Sequence, residues 1–487
     1  MGIEKLDPIL KFVPGIKRPD KPLSFREKLK WTGIIMAVYF TMFGTPAFGV
    51  DVKALATNPI LTILNTIFAA RIGTLMTVGI APIVLSSIVL QLLHGTGIIN
   101  LNLEDTEQKG RFQGIQKLAA IAIAFVEAII LARGVVLISP SMYALVALQM
   151  AIGAIIVVFL DEAMVKYGIT SGINLFIAGG IAFSIVAGTA NILIPEAAAA
   201  IASGQAAALS NAIMAFGPLF FTVVIFLISI YVLDMKIELP LVFSQFRGVG
   251  GRLPIPFLYI SVLPVILATS LTVSLSVWFR PLAGVHGVGA NIVHFLAYYT
   301  NQTTATTSGP TLSGGLIYFM QPLGMLPYNA PYGVGGYGNY FYLIATQTAP
   351  LFPPWGGAPL MIPEWVHFII YTVILVILCI IFGKFWVEMA GMSPKNVAEQ
   401  LQDVGWQIPG FRRDPRTIEG ILNKYLPTIT VLGSIFVGLL AAFATITGAI
   451  GNGMGILLTA GIMYGVYQQL EQEHMIESYP ALGKILD

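Results

Sequence analysis

Long apolar runs dominate the chain, and polar positions gather in the shorter stretches between them. A run must reach about 20 residues, at about 1.5 Å of rise each, to cross the hydrocarbon of a bilayer as a helix. Ten runs come close to that length, at about 31–50, 72–93, 115–137, 142–160, 173–194, 212–234, 257–279, 364–387, 427–448 and 453–470. The pattern predicts an all-α membrane protein with ten transmembrane helices. Three helix starts are legible between the runs. Ser24 with Glu27 forms a capping box ahead of the first span, Ser393-Pro394 opens a polar helix after the eighth, and Asn58-Pro59 opens a short helix after the first. In this last segment Ile60, Leu61, Ile63, Leu64, Ile67 and Phe68 recur at helical spacing, over about half the length a span requires. Such a helix either folds back into the bundle or lies on the membrane surface.

Composition and charge sharpen this picture. Hydrophobic residues make up 56% of the chain and charged residues 10%, against about 25% charged in an average soluble domain. The 50 glycines and 29 prolines fit membrane spans, where neighbouring helices satisfy freed backbone groups. The single cysteine, Cys379, excludes an internal disulfide. Residues 1–30 form a basic arm carrying Lys5, Lys11, Lys17, Arg18, Lys21, Arg26, Lys28 and Lys30, interrupted by four prolines. The arm runs into a long apolar segment and lacks the pattern of a cleavable signal peptide, so it reads as a retained cytoplasmic terminus. Alternating the spans from there makes the loops at about 94–114, 161–172, 235–256 and 388–426 cytoplasmic. They hold Lys109, Arg111, Lys166, Lys236, Arg247, Arg252, Lys395, Arg412, Arg413, Arg416 and Lys424, while the opposite side keeps little beyond Lys53, Arg133 and Arg280. This asymmetry predicts a multi-pass membrane protein with an even number of spans and both termini, including the tail 471–487, in the cytoplasm.

Candidate chemistry is sparse. Gly333-Val334-Gly335-Gly336-Tyr337-Gly338 fits a dinucleotide fingerprint by letter, but no predicted strand precedes it. No His-Glu-x-x-His, Gly-x-Ser-x-Gly or metal-spaced Cys/His set occurs, and the histidines are scattered, so neither an enzyme nor a cofactor is expected. Solute transporters usually carry ionisable groups near the midplane, yet these runs are almost devoid of them. Glu127 is the main exception; a charge at the centre of a span costs roughly 2.5–3.5 kcal/mol on insertion scales, so it needs polar surroundings or a hydrogen bond between helices. Residues 281–363 form a long outer insertion rich in Gly, Pro, Thr and Tyr, without one Asp, Glu, Lys or Arg. Its apolar runs at about 315–326 and 339–352 are too short to span, and the pattern assigns it no structure beyond a re-entrant or interfacial position. A glycosylation sequon stands at Asn301-Gln302-Thr303.

Several ordered stretches carry a family resemblance. Ala70-Arg71-Ile72-Gly73-Thr74-Leu75, Gly79-Ile80-Ala81-Pro82-Ile83-Val84 and Gln91-Leu92-Leu93 resemble the second segment of the SecY family. So do Phe112-Gln113-Gly114, Leu160-Asp161-Glu162, Tyr167-Gly168-Ile169, Ser171-Gly172-Ile173 and Gly455-Ile456-Leu457-Leu458-Thr459, and the likeness is strongest to the archaeal and eukaryotic branch. The resemblance implies two pseudo-symmetric halves of five helices, 31–194 and 212–470, around a central pore. It places an apolar pore ring at Ile80, Val84, Ile173, Ile177, Ile266 and Leu458, and a re-entrant plug helix at about 58–68 formed by Asn58, Pro59, Ile60, Leu61, Ile63, Leu64 and Ile67. The pairs Ile80/Val84 and Ile173/Ile177 also stand at i, i+4, on single helix faces. A lateral gate is implied at Leu85, Ser86, Glu127 and Ser274. The implied partners are two small single-span membrane subunits, one SecE- or gamma-like and one beta-like, together with nascent polypeptides bearing signal sequences, membrane lipid and the ribosome. Arg247, Arg252, Arg412 and Arg413 lie in the ribosome-docking loops; alternatively they only set topology. The function implied is a protein-conducting channel, with a multi-span solute transporter as the alternative.

Overall fold

The computed structural model describes the chain except for residues 1–14, 18, 20–22, 51–70, 96–105, 135–139, 205–207, 244–249, 261–262, 280–289, 305–306, 324–335, 354, 356, 390, 404–405, 408–414, 452 and 479–487. In chain order, α1 (Phe25–Gly44), α2 (Ala81–Gly95), α3 (Thr106–Gly134), α4 (Tyr143–Tyr167) and α5 (Gly172–Gly188) lead to a π turn at Thr189–Leu193. Then come α6 (Ile194–Ala202), α7 (Ala208–Ala215), α8 (Gly217–Asp234), β1 (Lys236–Phe243), β2 (Gly250–Pro256), α9 (Leu263–Phe279) and α10 (Ala290–Leu296). The outer insertion holds β3 (Tyr298–Thr304), β4 (Thr307–Gly314), α11 (Leu316–Phe319), α12 (Gly336–Thr346), β5 (Thr348–Leu351) and β6 (Leu360–Pro363). The chain continues through α13 (Glu364–Met389), α14 (Pro394–Asp403), β7 (Trp406–Gln407), α15 (Pro415–Ile446) and α16 (Gly453–Ser478).

Among the described residues, six helical stretches are long and apolar enough to cross a bilayer: Gly110–Ala132, Tyr143–Tyr167, Gly172–Ala202, Ala208–Asp234, Glu364–Glu388 and Ile418–Ile446. The other predicted spans fall on α1, α2, α9 and α16. Three predicted boundaries are corrected. The run at 31–50 is helical only to Gly44, the run at 72–93 is helical only from Ala81, and residues 257–260 of the run at 257–279 are not helical. Elsewhere the breaks follow local chemistry: Pro195 has no N–H to donate just after the π turn, and Gly217-Pro218 starts α8 afresh after Phe216. Both polar helix starts hold. Ser24 and Glu27 form the capping box, and the Ser393 hydroxyl accepts from the Asn396 amide at 3.4 Å.

The chain divides into two compact units, Met1–Ser184 with Asn301–Gly309 and Ile462–Asp487, and Ile185–Thr300 with Pro310–Gly461. In the first, α1 buries Ile35, Tyr39, Met42 and Phe43 along one helical face. Tyr39 stacks on Phe176 of α5 at 4.7 Å between ring centroids and donates to its backbone carbonyl at 3.2 Å. In the second unit, α13 and α15 pack closely through small residues: a Cβ on Gly383 would meet Ser434 Oγ at 2.4 Å, and one on Gly438 would press on Val376 at 3.0 Å. At one end of this unit, Ile255, Ala398, Ile418, Leu422, Leu426 and Ile429 form a core under α14, beside the antiparallel sheet β2-β1-β7.

Candidate functional site

The approach to α2 is irregular. Residues 71–80 form a chain of buried turns, with positive φ at Gly73 (90°) and Gly79 (60°). Buried non-helical backbone survives only where the protein satisfies its polar groups. Here it does so. Arg71 N–H donates to the Met76 carbonyl at 3.1 Å, Leu75 N–H to the Thr45 carbonyl at 3.1 Å, and Ala47 N–H to the Gly73 carbonyl at 2.9 Å. Thr77 Oγ1 accepts from Gly73 N–H at 3.0 Å, and Thr74 Oγ1 from Met76 N–H at 3.1 Å. The segment also lies so close to α4 that a Cβ on Gly153 would stand 2.0 Å from the Leu75 carbonyl oxygen.

These turns deliver Ile80 to the mouth of α2. Ile80 is fully buried and precedes the helix, yet its carbonyl accepts from Val84 N–H at 3.2 Å, so the i, i+4 relation persists across the boundary. Val84 and Leu85 follow half-buried on α2, and Ser86 is buried, donating to the Ile83 carbonyl at 2.9 Å. The second pair, half-buried Ile173 and buried Ile177, lies in the opening turns of α5. That helix is capped from a distance: Asp161 Oδ1 near the end of α4 accepts from Ile173 N–H at 3.0 Å. A neighbouring ion cluster fastens the N-terminal arm to the same corner, because Glu162 binds Lys117 at 2.5 Å, Lys166 at 2.6 Å and the Ile16 amide at 3.1 Å.

Of the remaining predicted positions, Glu127 is half-buried on α3, and its Oε2 is buried without a hydrogen-bond partner among the described residues. A buried, unsatisfied carboxyl oxygen in an apolar helix is costly. In the second unit Ile266 is half-buried on α9 and Leu458 is buried on α16. Ser274 falls on α9 and Arg252 on β2, paired in register with Pro240, with side chains outside the described residues. The plug positions Asn58, Pro59, Ile60, Leu61, Ile63, Leu64 and Ile67, and the arginines Arg247, Arg412 and Arg413, lie outside the described residues altogether. Gly336 and Gly338 of the fingerprint lie in the first turn of α12, and the strand pairs β1–β2, β1–β7 and β5–β6 are antiparallel.

The sequence reading missed one polar cluster, in the second unit. His367 and Glu364, one helical turn apart at the start of α13, are both buried and meet at 2.7 Å. Tyr318 donates to the other Glu364 oxygen at 2.8 Å, and His367 Nε2 lies 3.0 Å from the Gln321 carbonyl. Burial, with Glu364 beside it, holds the Tyr318 phenol above its usual range, so it remains a donor. The Glu-x-x-His spacing was the available signal.

A family model described as SecY matches residues 74–467. The chain belongs to the SecY family. The protein translocase subunit SecY of Methanocaldococcus jannaschii is 36% identical over 494 residues, covering 100% of each chain. That of Methanococcus vannielii is 36% identical over 490 residues, covering 99% of each. Among solved structures, "The structure of a protein conducting channel" superposes with a TM-score of 0.73 at 35% identity, covering 98% of this chain and 99% of the other. "Sec61 in the Canine ribosome-channel complex from the endoplasmic reticulum" does so at 0.70 and 34%, with coverage of 98% and 99%. These likenesses are to SecY-family channels, and none is to a solute transporter.

Proposed function

We propose that this chain is the central subunit of a protein-conducting channel in the cell membrane, passing secretory polypeptides across the bilayer and releasing membrane-spanning segments sideways into it. The observation that supports this reading most is likeness along the entire chain to SecY translocase subunits and to a channel structure. On this reading the chain crosses the membrane ten times with both termini in the cytoplasm. Ile80, Val84, Ile173, Ile177, Ile266 and Leu458 form the seal, residues 58–68 the plug, and Leu85, Ser86, Glu127 and Ser274 the lateral gate.

The mechanism needs no covalent chemistry. A constriction of branched apolar side chains excludes water and ions by dewetting, and yields when a polypeptide displaces the side chains. A passing segment of about 20 apolar residues prefers hydrocarbon to a wet pore, and so leaves sideways. Two small single-span subunits complete the assembly, and the ribosome docks on the loops carrying Arg247, Arg252, Arg412 and Arg413. Affinity purification of the tagged chain from its native membranes tests this. Two small membrane proteins and ribosomal RNA should accompany it; a chain that purifies without either and moves no polypeptide in reconstituted vesicles would overturn the reading.

A further inference from the structure

The outer insertion is built for contact with something apolar. A water-facing segment as long as 281–363 would carry about 20 charged residues at average soluble composition, and this one carries no Asp, Glu, Lys or Arg. Within it, β5 and β6 form an antiparallel hairpin in which Leu351 pairs with Leu360 and Pro350 with Met361. Ala349 faces inward at 3% exposure, whereas Trp355 in the connecting loop is 83% exposed, Leu360 64% and Met361 52%. Apolar side chains this open on a charge-free hairpin are not explained by the hairpin's own packing.

The hairpin continues the surface of a span. β6 runs directly into α13, whose Trp365, Ile369, Val373, Ile377 and Ile381 repeat every fourth residue and are all exposed. In an apolar helix long enough to cross the bilayer, such a stripe faces lipid. The hairpin is also fixed in place. Glu364 N–H donates to the Gln347 carbonyl at 3.0 Å, Gly315 N–H to the Pro350 carbonyl at 3.1 Å, and the buried Tyr318–Glu364–His367 cluster ties the insertion to the head of α13. Its exposed residues therefore hold a set position relative to the stripe.

We propose that the β5–β6 hairpin is an interfacial anchor, with Trp355, Leu360 and Met361 seated in the headgroup–acyl boundary of the leaflet that meets the N-terminal end of α13. Tryptophan favours that depth, since its ring is apolar and its N–H remains hydrated. The absence of charge removes the main cost of approaching the boundary. The anchor fixes the height of α13 in the bilayer, and with it the outer end of that span. The inference rests on reading α13 as membrane-spanning.

The test uses the full chain in lipid nanodiscs, with Cys379→Ser removing the single native thiol and an environment-sensitive fluorophore on one introduced cysteine. Trp355→Cys and Leu360→Cys report on the hairpin, Ile377→Cys on mid-span and Gln400→Cys on the exposed face of α14. Labels at Trp355 and Leu360 should be quenched most by lipid carrying a nitroxide near the headgroup, less by lipid labelled near the chain end, and weakly by iodide. The label at Ile377 should show the opposite depth order, and that at Gln400 only iodide quenching. Strong iodide quenching with no lipid quenching at both hairpin sites overturns the anchor. So does silence to both quenchers, which would mean that protein covers the hairpin. If Ile377 also fails to respond to lipid, the span reading fails as well.

Discussion

A seal of branched apolar side chains acts by what it refuses to bind, so its failure under mutation depends on polarity more than on size. Ile80 and Ile177 are buried where the chain enters α2 and where α5 opens, and both are held by satisfied backbone. Replacing both with Asn should raise resting ion conductance in reconstituted bilayers, while Ile80→Leu with Ile177→Leu should leave it near background. The comparison pair is Val78→Asn with Leu175→Asn, where Val78 is equally buried and should perturb packing without a specific leak. Equal conductance from the two Asn pairs, in protein shown to be folded, would move the seal to other residues. Gly153 makes a different kind of claim. Its missing Cβ leaves room for the Leu75 carbonyl at a distance no side chain permits, and backbone on both sides has little freedom to yield. Gly153→Ala should destabilise the protein by about 1–3 kcal/mol through overpacking, read as a lowered midpoint of thermal unfolding in detergent. Gly420→Ala, on α15 with nothing within 4 Å of its Cβ, should be neutral or stabilising by up to about 1 kcal/mol. A similar loss at both sites would mean that crowding at Leu75 is not the cause.

Helix α5 starts on two caps, the local Ser171, whose hydroxyl accepts from Asn174 N–H at 3.4 Å, and a residue on another helix. Asp161 near the end of α4 accepts the Ile173 amide, and a Cβ on Gly172 would meet the Asp161 Cα at 2.7 Å, so the two helix ends are locked by contact and by a cap. Asp161→Ala should remove about 1 kcal/mol of helix stability and speed amide hydrogen exchange in the first turns of α5. Unchanged exchange at 173–177 would show that the local Ser171 cap and packing set the helix start without Asp161. Elements of this kind explain what was readable beforehand. The spans on α4 and α13 were legible because an unbroken apolar run and an unbroken helix coincide there. Residues 72–80 were misread as helix because hydropathy does not separate a buried turn from a span. The countersign was local: Gly73, Thr74, Thr77 and Gly79 offer positive φ and hydroxyl acceptors that replace the helical ladder. The hairpins of the outer insertion were illegible for the converse reason, since short strands without alternating charge carry almost no periodic signal. The seal and gate positions came from family likeness; helical spacing alone left them indistinguishable from packing residues, and only Glu127 announced itself by polarity.

For the whole molecule, charge is rare and its placement carries the information. The chain has 26 Lys and Arg against 24 Asp and Glu, yet the basic residues concentrate in the loops assigned to the cytoplasm, and the outer insertion has neither kind. Two forces put arginine there: topology, which counts positive charge near the ends of spans, and attraction to RNA, which needs the charge to reach phosphate. They separate by mutation. A topology role depends on the sum over a loop, so one reversal among several basic residues should be tolerated. A docking role depends on the individual contact, so Arg247→Glu and Arg412→Glu should each weaken ribosome binding to the reconstituted channel. Salt supplies the sharper criterion. Binding that neutralises phosphates weakens with salt in proportion to the number of contacts, so losing one contact should flatten the log–log slope by about one, with the affinity loss largest at low salt. A reversal that acted by misfolding would reduce the number of competent channels and leave the slope of the remainder unchanged. Affinity and slope both equal to the parent in the two variants would return these arginines to setting topology alone.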